Sequence, residues 1–163
     1  LRVITAPSLR GTEIEFGEEY LTLLNGKASS KYFYASESVV VKPENVSMPE
    51  PEINFSLDKT ELDSVFSMAD ILKKTDLSIT STGETISVVV LDKKDPTSNV
   101  FRQVVGVGNG DTYTIYLKTE YIKVLMGSYN VAISSKGISH FSNQEIDLEY
   151  WIATETDSEF YSE

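Results

Sequence analysis

Residues 53–72 constrain the fold more than any other stretch of this chain. Ile53-Asn54-Phe55-Ser56-Leu57 alternates apolar and polar side chains, the pattern of a strand with one buried face. It runs directly into Asp58-Lys59-Thr60-Glu61, a capping box in which the Asp58 carboxylate accepts from the Glu61 N–H while Glu61 reaches back. Leu62, Val65, Phe66, Ala69 and Leu72 then fall at helical spacing on one stripe. Lys73-Lys74 place cations at the negative end of the helix dipole, where the helix should stop. A one-faced strand feeding a one-faced helix must share its core with further layers.

The rest of the chain supplies them. Three strands are expected at 77–80, 85–92 and 100–107, separated by Thr82-Gly83-Glu84 and by Lys93-Lys94-Asp95-Pro96. The order then repeats. Asn109-Gly110 signals a tight turn, 112–118 alternates as a strand, and Thr119–Met126 reads as a short helix capped by Thr119 and stopped by Gly127. Strands follow at 129–134, 138–141 and 148–154. Residues 53–154 thus read β-α-β-β-β twice, a duplication in pattern but not in letters. The fold class is α+β, with antiparallel sheets carrying helices on one face.

Pro43, Pro49 and Pro51 interrupt any regular element, so residues 44–51 read as a connector between folded units. Residues 52–163 form a complete second domain with an acidic tail. Residues 1–43 read as the closing part of a first domain: a helix end at 1–4, then strands at 12–16, 20–24 and 31–36, with Asn25-Gly26 as a turn.

Composition excludes several functions. The chain has 163 residues, no cysteine and one histidine, His140. Disulfides, thiolate chemistry and two-histidine metal sites are therefore out. No apolar run approaches the ~20 residues of a membrane helix, and the residues given show no basic start followed by an apolar stretch of the signal-peptide kind. The net charge is −11, but it is uneven. Residues 1–51 carry five bases and seven acids, residues 52–144 nine and eleven, and residues 145–163 seven acids and no base. The body is nearly balanced, which leaves room for a local basic surface.

The ordered set of elements resembles the DNA sliding clamps. Gly110-Asp111-Thr112-Tyr113-Thr114-Ile115, Met126-Gly127-Ser128-Tyr129-Asn130-Val131-Ala132-Ile133 and Ser135-Lys136-Gly137 are similar to the C-terminal domain of the trimeric clamps of T-even-type bacteriophages. There a short helix likewise runs into a Gly-Asn-Tyr segment, a hydrophobic strand and a Lys-Gly turn. The ending Tyr150-Trp151-Ile152-Ala153-Thr154-Glu155-Thr156-Asp157-Ser158 resembles those clamps and, more loosely, the end of proliferating-cell nuclear antigen. The resemblance implies that roughly 60 residues of the first domain precede Leu1, by the length of the repeat.

It also implies a function without catalysis, cofactor or metal. A clamp encircles duplex DNA without reading bases and tethers the replicative DNA polymerase, raising its effective concentration at the primer end. A clamp loader places it there, and the subunits form a homotrimeric ring in the cytoplasm, that of the host cell for a phage protein. The family lines its bore with helices, which here offer Lys59, Lys73 and Lys74 on the long helix and Lys118 and Lys123 on the short one. Its rings close strand to strand, which by position implicates 31–36 (Tyr32, Tyr34) and 100–107 (Phe101, Val105). Its partner peptides dock beside the connector, which implicates Val46, Met48, Trp151, Ala153 and Thr154. Tyr150-Trp151-Ile152 leaves open which face Trp151 takes.

Other motifs carry less. Gly106-Val107-Gly108-Asn109-Gly110 is followed by a strand rather than a helix, so it reads as a hairpin turn and not a phosphate loop. Asp92 and Asp95 flank lysines in a solvated turn, and Asn45-Val46-Ser47 is a bare acceptor pattern. His140 reads as a satisfied structural or surface histidine. The competing readings are a non-enzymatic β-rich binding or virion structural module, a hydrolase built on scattered carboxylates, and an acidic DNA mimic.

Overall fold

The computed structural model describes residues 12–39 and 47–161. The chain separates into two compact units, Leu1–Asn45 and Val46–Glu163. The expected helix end at 1–4 and the docking candidate Val46 lie outside the described residues.

The first unit holds an antiparallel sheet of β1 (Glu13–Phe16), β2 (Tyr20–Asn25) and β3 (Ala28–Phe33), in the order β1-β2-β3, followed by a 3-10 turn at Glu37–Val39. Asn25 pairs with Ala28, so the turn between β2 and β3 has only two residues, and Gly26 takes φ 60. Such a turn demands positive φ, which glycine adopts freely. The tight turn brings β3 forward to Ala28, three residues before the expected start, and leaves Tyr34 beyond its end.

The second unit runs β4 (Ile53–Leu57), α1 (Lys59–Leu72), β5 (Asp76–Thr82), β6 (Thr85–Leu91), β7 (Phe101–Val107), β8 (Thr112–Lys118), β9 (Tyr129–Ser134), β10 (Ile138–Asn143), β11 (Glu149–Ala153) and β12 (Glu159–Tyr161). The capping box forms as expected. Glu61 N–H donates to Asp58 Oδ1 at 2.8 Å, and Asp58 N–H donates to Glu61 Oε2 at 2.9 Å. Leu62, Val65 and Ala69 are buried, and Phe66 packs against the same core. The helix stops at Lys73, which turns left-handed at φ 55, while Lys74 N–H donates to Ala69 O at 3.0 Å. Asp58→Ala removes the side-chain half of the box, and urea titration should show a loss of about 1 kcal/mol; an unchanged midpoint would mean that packing alone sets this end.

Two antiparallel sheets enclose the core, ordered β11-β10-β9-β4 and β12-β8-β5-β6-β7. Their inner faces bring Ile53, Leu57, Tyr129, Val131, Ile133, Phe141 and Ile152 into one cluster with Leu77, Ile79, Val88, Val90, Ile115 and Leu117. Three features depart from the sequence reading.

Thr119–Met126 is not a helix. It makes a single turn, with Ile122 N–H reaching Lys118 O at 3.3 Å, and then runs irregularly to β9. Thr119 does not cap: its N–H and Oγ1 both donate to Thr75 O. The buried residues are Ile122 and Val124, two apart, which no helix face provides. Tyr129 Oη donates to Leu125 O at 2.7 Å and Leu125 N–H donates to Tyr150 Oη at 3.1 Å, fixing the segment by tyrosine hydroxyls. An eight-residue stretch with little amphipathic pattern has no means to nucleate a helix against these bonds.

Gly106–Gly110 is not a hairpin turn. β7 and β8 are not neighbours, because β5 and β6 lie between them. The segment crosses the tip of the β5–β6 hairpin, where Gly108 N–H donates to Glu84 O and Gly110 N–H to Gly83 O. A Cβ on Gly108 would fall on the Gly83 carbonyl oxygen, so the crossing needs glycine for backbone-to-backbone approach.

The third departure is β12, which extends the five-stranded sheet beyond β8: Tyr116 N–H donates to Ser158 Oγ, Glu155 N–H to Tyr116 O, and Phe160 packs near Tyr113.

Candidate functional site

The five candidate lysines do not share one kind of position. Lys59 opens α1 and is exposed, Lys73 is its exposed left-handed cap, and Lys74 follows half-buried. The exposed face between them also carries Asp63 and Asp70. Lys123 is exposed in the irregular segment after β8. Lys118 ends strand β8 rather than lying on a helix, and its Nζ pairs with the buried carboxylate of Asp76 directly opposite on β5. That hydrogen bond raises the Lys118 pKa above its ordinary value, against the opposing pull of partial burial. Lys118 is therefore engaged by a buried carboxylate while its own side chain stays partly exposed.

The Asp76 pair belongs to a larger network that sequence reading missed. Asp76 Oδ2 also accepts from Lys93 N–H at 3.3 Å. Lys93 Nζ donates to both oxygens of Asp157 at 2.8 Å, lies 3.8 Å from Glu155, and sits 4.6 Å from the centre of the Tyr116 ring. The Lys93 bond lowers the Asp157 pKa. Part of the acidic C-terminal charge is thus tied to the sheet. Nothing in the one-dimensional pattern links residues 76, 93, 118 and 157; the register of β5 with β8 joins Asp76 to Lys118, and the loops carrying Lys93 and Asp157 complete the network.

The two candidate pairing strands lie at sheet edges: β3 ends the order β1-β2-β3, and β7 ends the five-stranded sheet. The residues presented differ from the expectation. Phe101 and Val105 are partly buried against the core, while Val100, Val104 and Val107 are exposed, Val107 to 85%. Ser87 pairs with Val104 and Ile86 with Gly106, so Val105 is the extra residue of a bulge. With Phe101 and Gln103 turned inward, the outward positions are Arg102, whose guanidinium donates to Thr80 Oγ1 at 3.3 Å, and Val104. In the first unit Tyr32 and Tyr34 are exposed, with Phe33 more so at 72%.

The docking candidates gather at one end of the four-stranded sheet. Ile53, Ile133, Ser139 and Ile152 stand in one row across it. The residues leading into β4 and those ending β11 therefore meet the same end. Glu52 secures the former: its N–H donates to Ile133 O, and its carboxylate accepts from Ser135 N–H at 2.8 Å and Ser135 Oγ at 2.6 Å. Burial pushes the Glu52 pKa up, but the Ser135 bonds outweigh it and hold the group below the usual carboxylate range. Met48 precedes it, half-buried. Thr154 N–H donates to Gly137 O at 3.0 Å.

Trp151 and Ala153 alternate with the inward-facing Tyr150 and Ile152, so Trp151 takes the outer face. It stands opposite His140 of β10, with ring centroids 4.1 Å apart and planes 18° from parallel. Among the described residues no three His, Asp or Glu side chains converge as metal ligands would.

No protein-family model matches the sequence, and no curated protein matches it significantly. Solved structures do match. A proliferating-cell nuclear antigen of A. fulgidus, solved with the C-terminal region of FEN-1, superposes with TM-score 0.55 at 17% identity over 91% of this chain and 65% of its own. A DNA polymerase sliding clamp of Pseudomonas aeruginosa gives 0.54 at 15% over 88% of this chain and 42% of its own. The β subunit of DNA polymerase from Streptococcus pyogenes gives 0.51 at 13%, over 88% and 41%. The chain has the DNA-clamp fold. It spans about two thirds of the length of the first clamp and about two fifths of the bacterial ones.

Proposed function

We propose that the chain is part of a replicative sliding clamp subunit, of the T-even bacteriophage type, that encircles duplex DNA and tethers a replicative DNA polymerase after placement by a clamp loader. In this reading residues 1–43 close a first clamp domain, 44–51 connect, and 52–163 form a second domain. The ring is a homotrimer working in the host cytoplasm, and the chain does no chemistry of its own. The observation that carries the reading is the clamp fold, in which β7 is, among the described residues, a sheet edge with Val104 and Val107 exposed on it and Val100 just before it. An exposed apolar edge is a liability in a monomer and an asset where a neighbouring strand covers it. Head-to-tail pairing of such edges closes into a ring when the rotation allows.

The remaining surfaces fit the same reading. Lys59, Lys73, Lys74 and Lys123 are the cations offered to phosphates, while Lys118 is engaged by Asp76. Trp151, Ala153 and Thr154, with Met48 and Val46 on the connector, are the peptide-docking end. The decisive measurement is light scattering on protein expressed from the whole reading frame. A trimer mass at micromolar concentration is expected. A strict monomer would exclude a stable ring and favour a β-rich binding module instead.

A further inference from the structure

His140 is not the satisfied histidine that its sequence context suggests. Its Nε2 atom is buried and has no hydrogen-bond partner, and the nearest charge is Glu149 Oε2 at 3.4 Å. Buried polar atoms in this state are uncommon enough to require a reason. The ring's other relationships supply one. His140 pairs in register with Trp151 on one side and with Ala132 on the other. The indole lies flat against the imidazole, and Ala132 leaves an opening beyond it. That opening is a shallow groove lined by Asn54, Ser56, Asn130, Ala132, His140 and Ser142. The imidazole is thus the wall between the indole and the groove.

We propose that His140 is a positioning residue for Trp151: it holds the indole flat on the outer face of the sheet, so that a bound partner peptide meets a rigid two-ring shelf. The orphaned Nε2 is then the cost of placing a flat ring where a hydrogen-bonded side chain would not stack. Glu149, also on β11, places a carboxylate oxygen 3.4 Å from Nε2 without making a hydrogen bond to it, on the side away from Ala132. The inference rests on the reading of Trp151 as a peptide-docking residue, but the positioning itself can be measured without any peptide.

Trp151 is the single tryptophan of the chain, so its emission reports on this site alone. The test compares wild type, His140→Ala, His140→Phe and Trp151→Ala in the full chain. Far-UV circular dichroism serves as the folding control. Acrylamide quenching and emission maximum report the indole. Anisotropy of a fluorescein-labelled twelve-residue C-terminal peptide of the replicative polymerase from the same genome reports binding.

In His140→Ala the indole should become more quenchable and its emission should shift to the red, and peptide affinity should fall about five-fold, the scale of one lost aromatic contact. His140→Phe keeps a flat ring without nitrogens and should restore both. A His140→Ala protein with wild-type quenching overturns the positioning role and leaves the docking reading standing. Wild-type affinity in Trp151→Ala overturns the docking reading, and with it the functional half of this proposal. A His140→Phe protein that behaves like His140→Ala also overturns it, because the imidazole nitrogens and not the flat ring would then be at work.

Discussion

Asp76→Ala is expected to cost the second unit about 1–3 kcal/mol, the penalty for leaving a buried donor without its acceptor, because the Lys118 ammonium left behind is partly exposed. The Asp76 side chain is 5% exposed and accepts from both Lys118 Nζ and Lys93 N–H. Its removal takes the direct partner from the partly exposed Lys118 ammonium at the end of β8 and leaves the Lys93 N–H without its acceptor. The same change loosens the platform on which Lys93 holds Asp157 and the start of the β12 segment. Adding Lys118→Met to Asp76→Ala removes the unpartnered charge, and the double variant should recover part of the loss. Urea titrations of the three proteins at pH 7 make the comparison. Equal midpoints for wild type and Asp76→Ala would show that the pair is neutral to stability.

The pair also sets a pH dependence. Lys118 has a folded pKa raised above its ordinary 10.5, chiefly by the Asp76 bond. A raised lysine pKa means that the folded state holds its proton more tightly than the unfolded state does. Its stabilisation is complete below pH 10.5 and drains away as pH rises through the folded value. The wild type should therefore lose stability more steeply than the Asp76→Ala/Lys118→Met variant as pH rises above 10.5.

The second large effect concerns DNA. Reversing Lys59, Lys73, Lys74 and Lys123 together to Glu should lower processive synthesis by at least about tenfold and flatten its salt dependence, because each lysine–phosphate contact contributes one released counterion. None of the four makes an ion pair among the described residues, and the fold should survive with little change. Lys118 is deliberately left alone. Lys118→Glu would set a carboxylate against Asp76 and confuse unfolding with loss of DNA contact. Primer extension on a long template in the presence of loader and polymerase reads the result. Processivity equal to wild type would remove these lysines from any DNA-facing role.

How far the sequence reaches differs element by element. The strand-to-helix junction at 53–72 was legible to the residue, because a capping box and a period-3.6 stripe are local signals. The strands 112–118 and 129–134 were legible for the same reason. The short helix was not. Thr119 and Gly127 have the right letters for a cap and a stop, but whether a short segment coils depends on what competes for its backbone. Here Thr75, Tyr129 and Tyr150 win. The glycine run at 106–110 was misread because a turn signal gives the bend without saying which strands it joins.

The candidate site shows the same division. Period-2 alternation marked β7 as half apolar with Phe101 and Val105 on one face, but only the packing showed that this face is the core face; the bulge at Val105 then shifts the phase and turns Val107 outward. Lys118 looked like any surface lysine until strand register set it opposite Asp76. Trp151 became an outer-face residue only when Tyr150 and Ile152 were seen to take the inner face, and its stack on His140 exists only through the pairing of β10 with β11.

By itself, then, the sequence determined the order of the strands β1 to β11, the α+β class, the helix α1 and its cap, and the concentration of acid after residue 144. These follow from propensities and periodicities that act within a few residues of chain. Tertiary structure alone decided which strands became edges, which face each aromatic took, which lysine is neutralised and where β12 lies. Those depend on contacts between residues tens of positions apart, whose geometry is set by sheet register and by the close approach of Gly108 to Gly83 rather than by any local pattern.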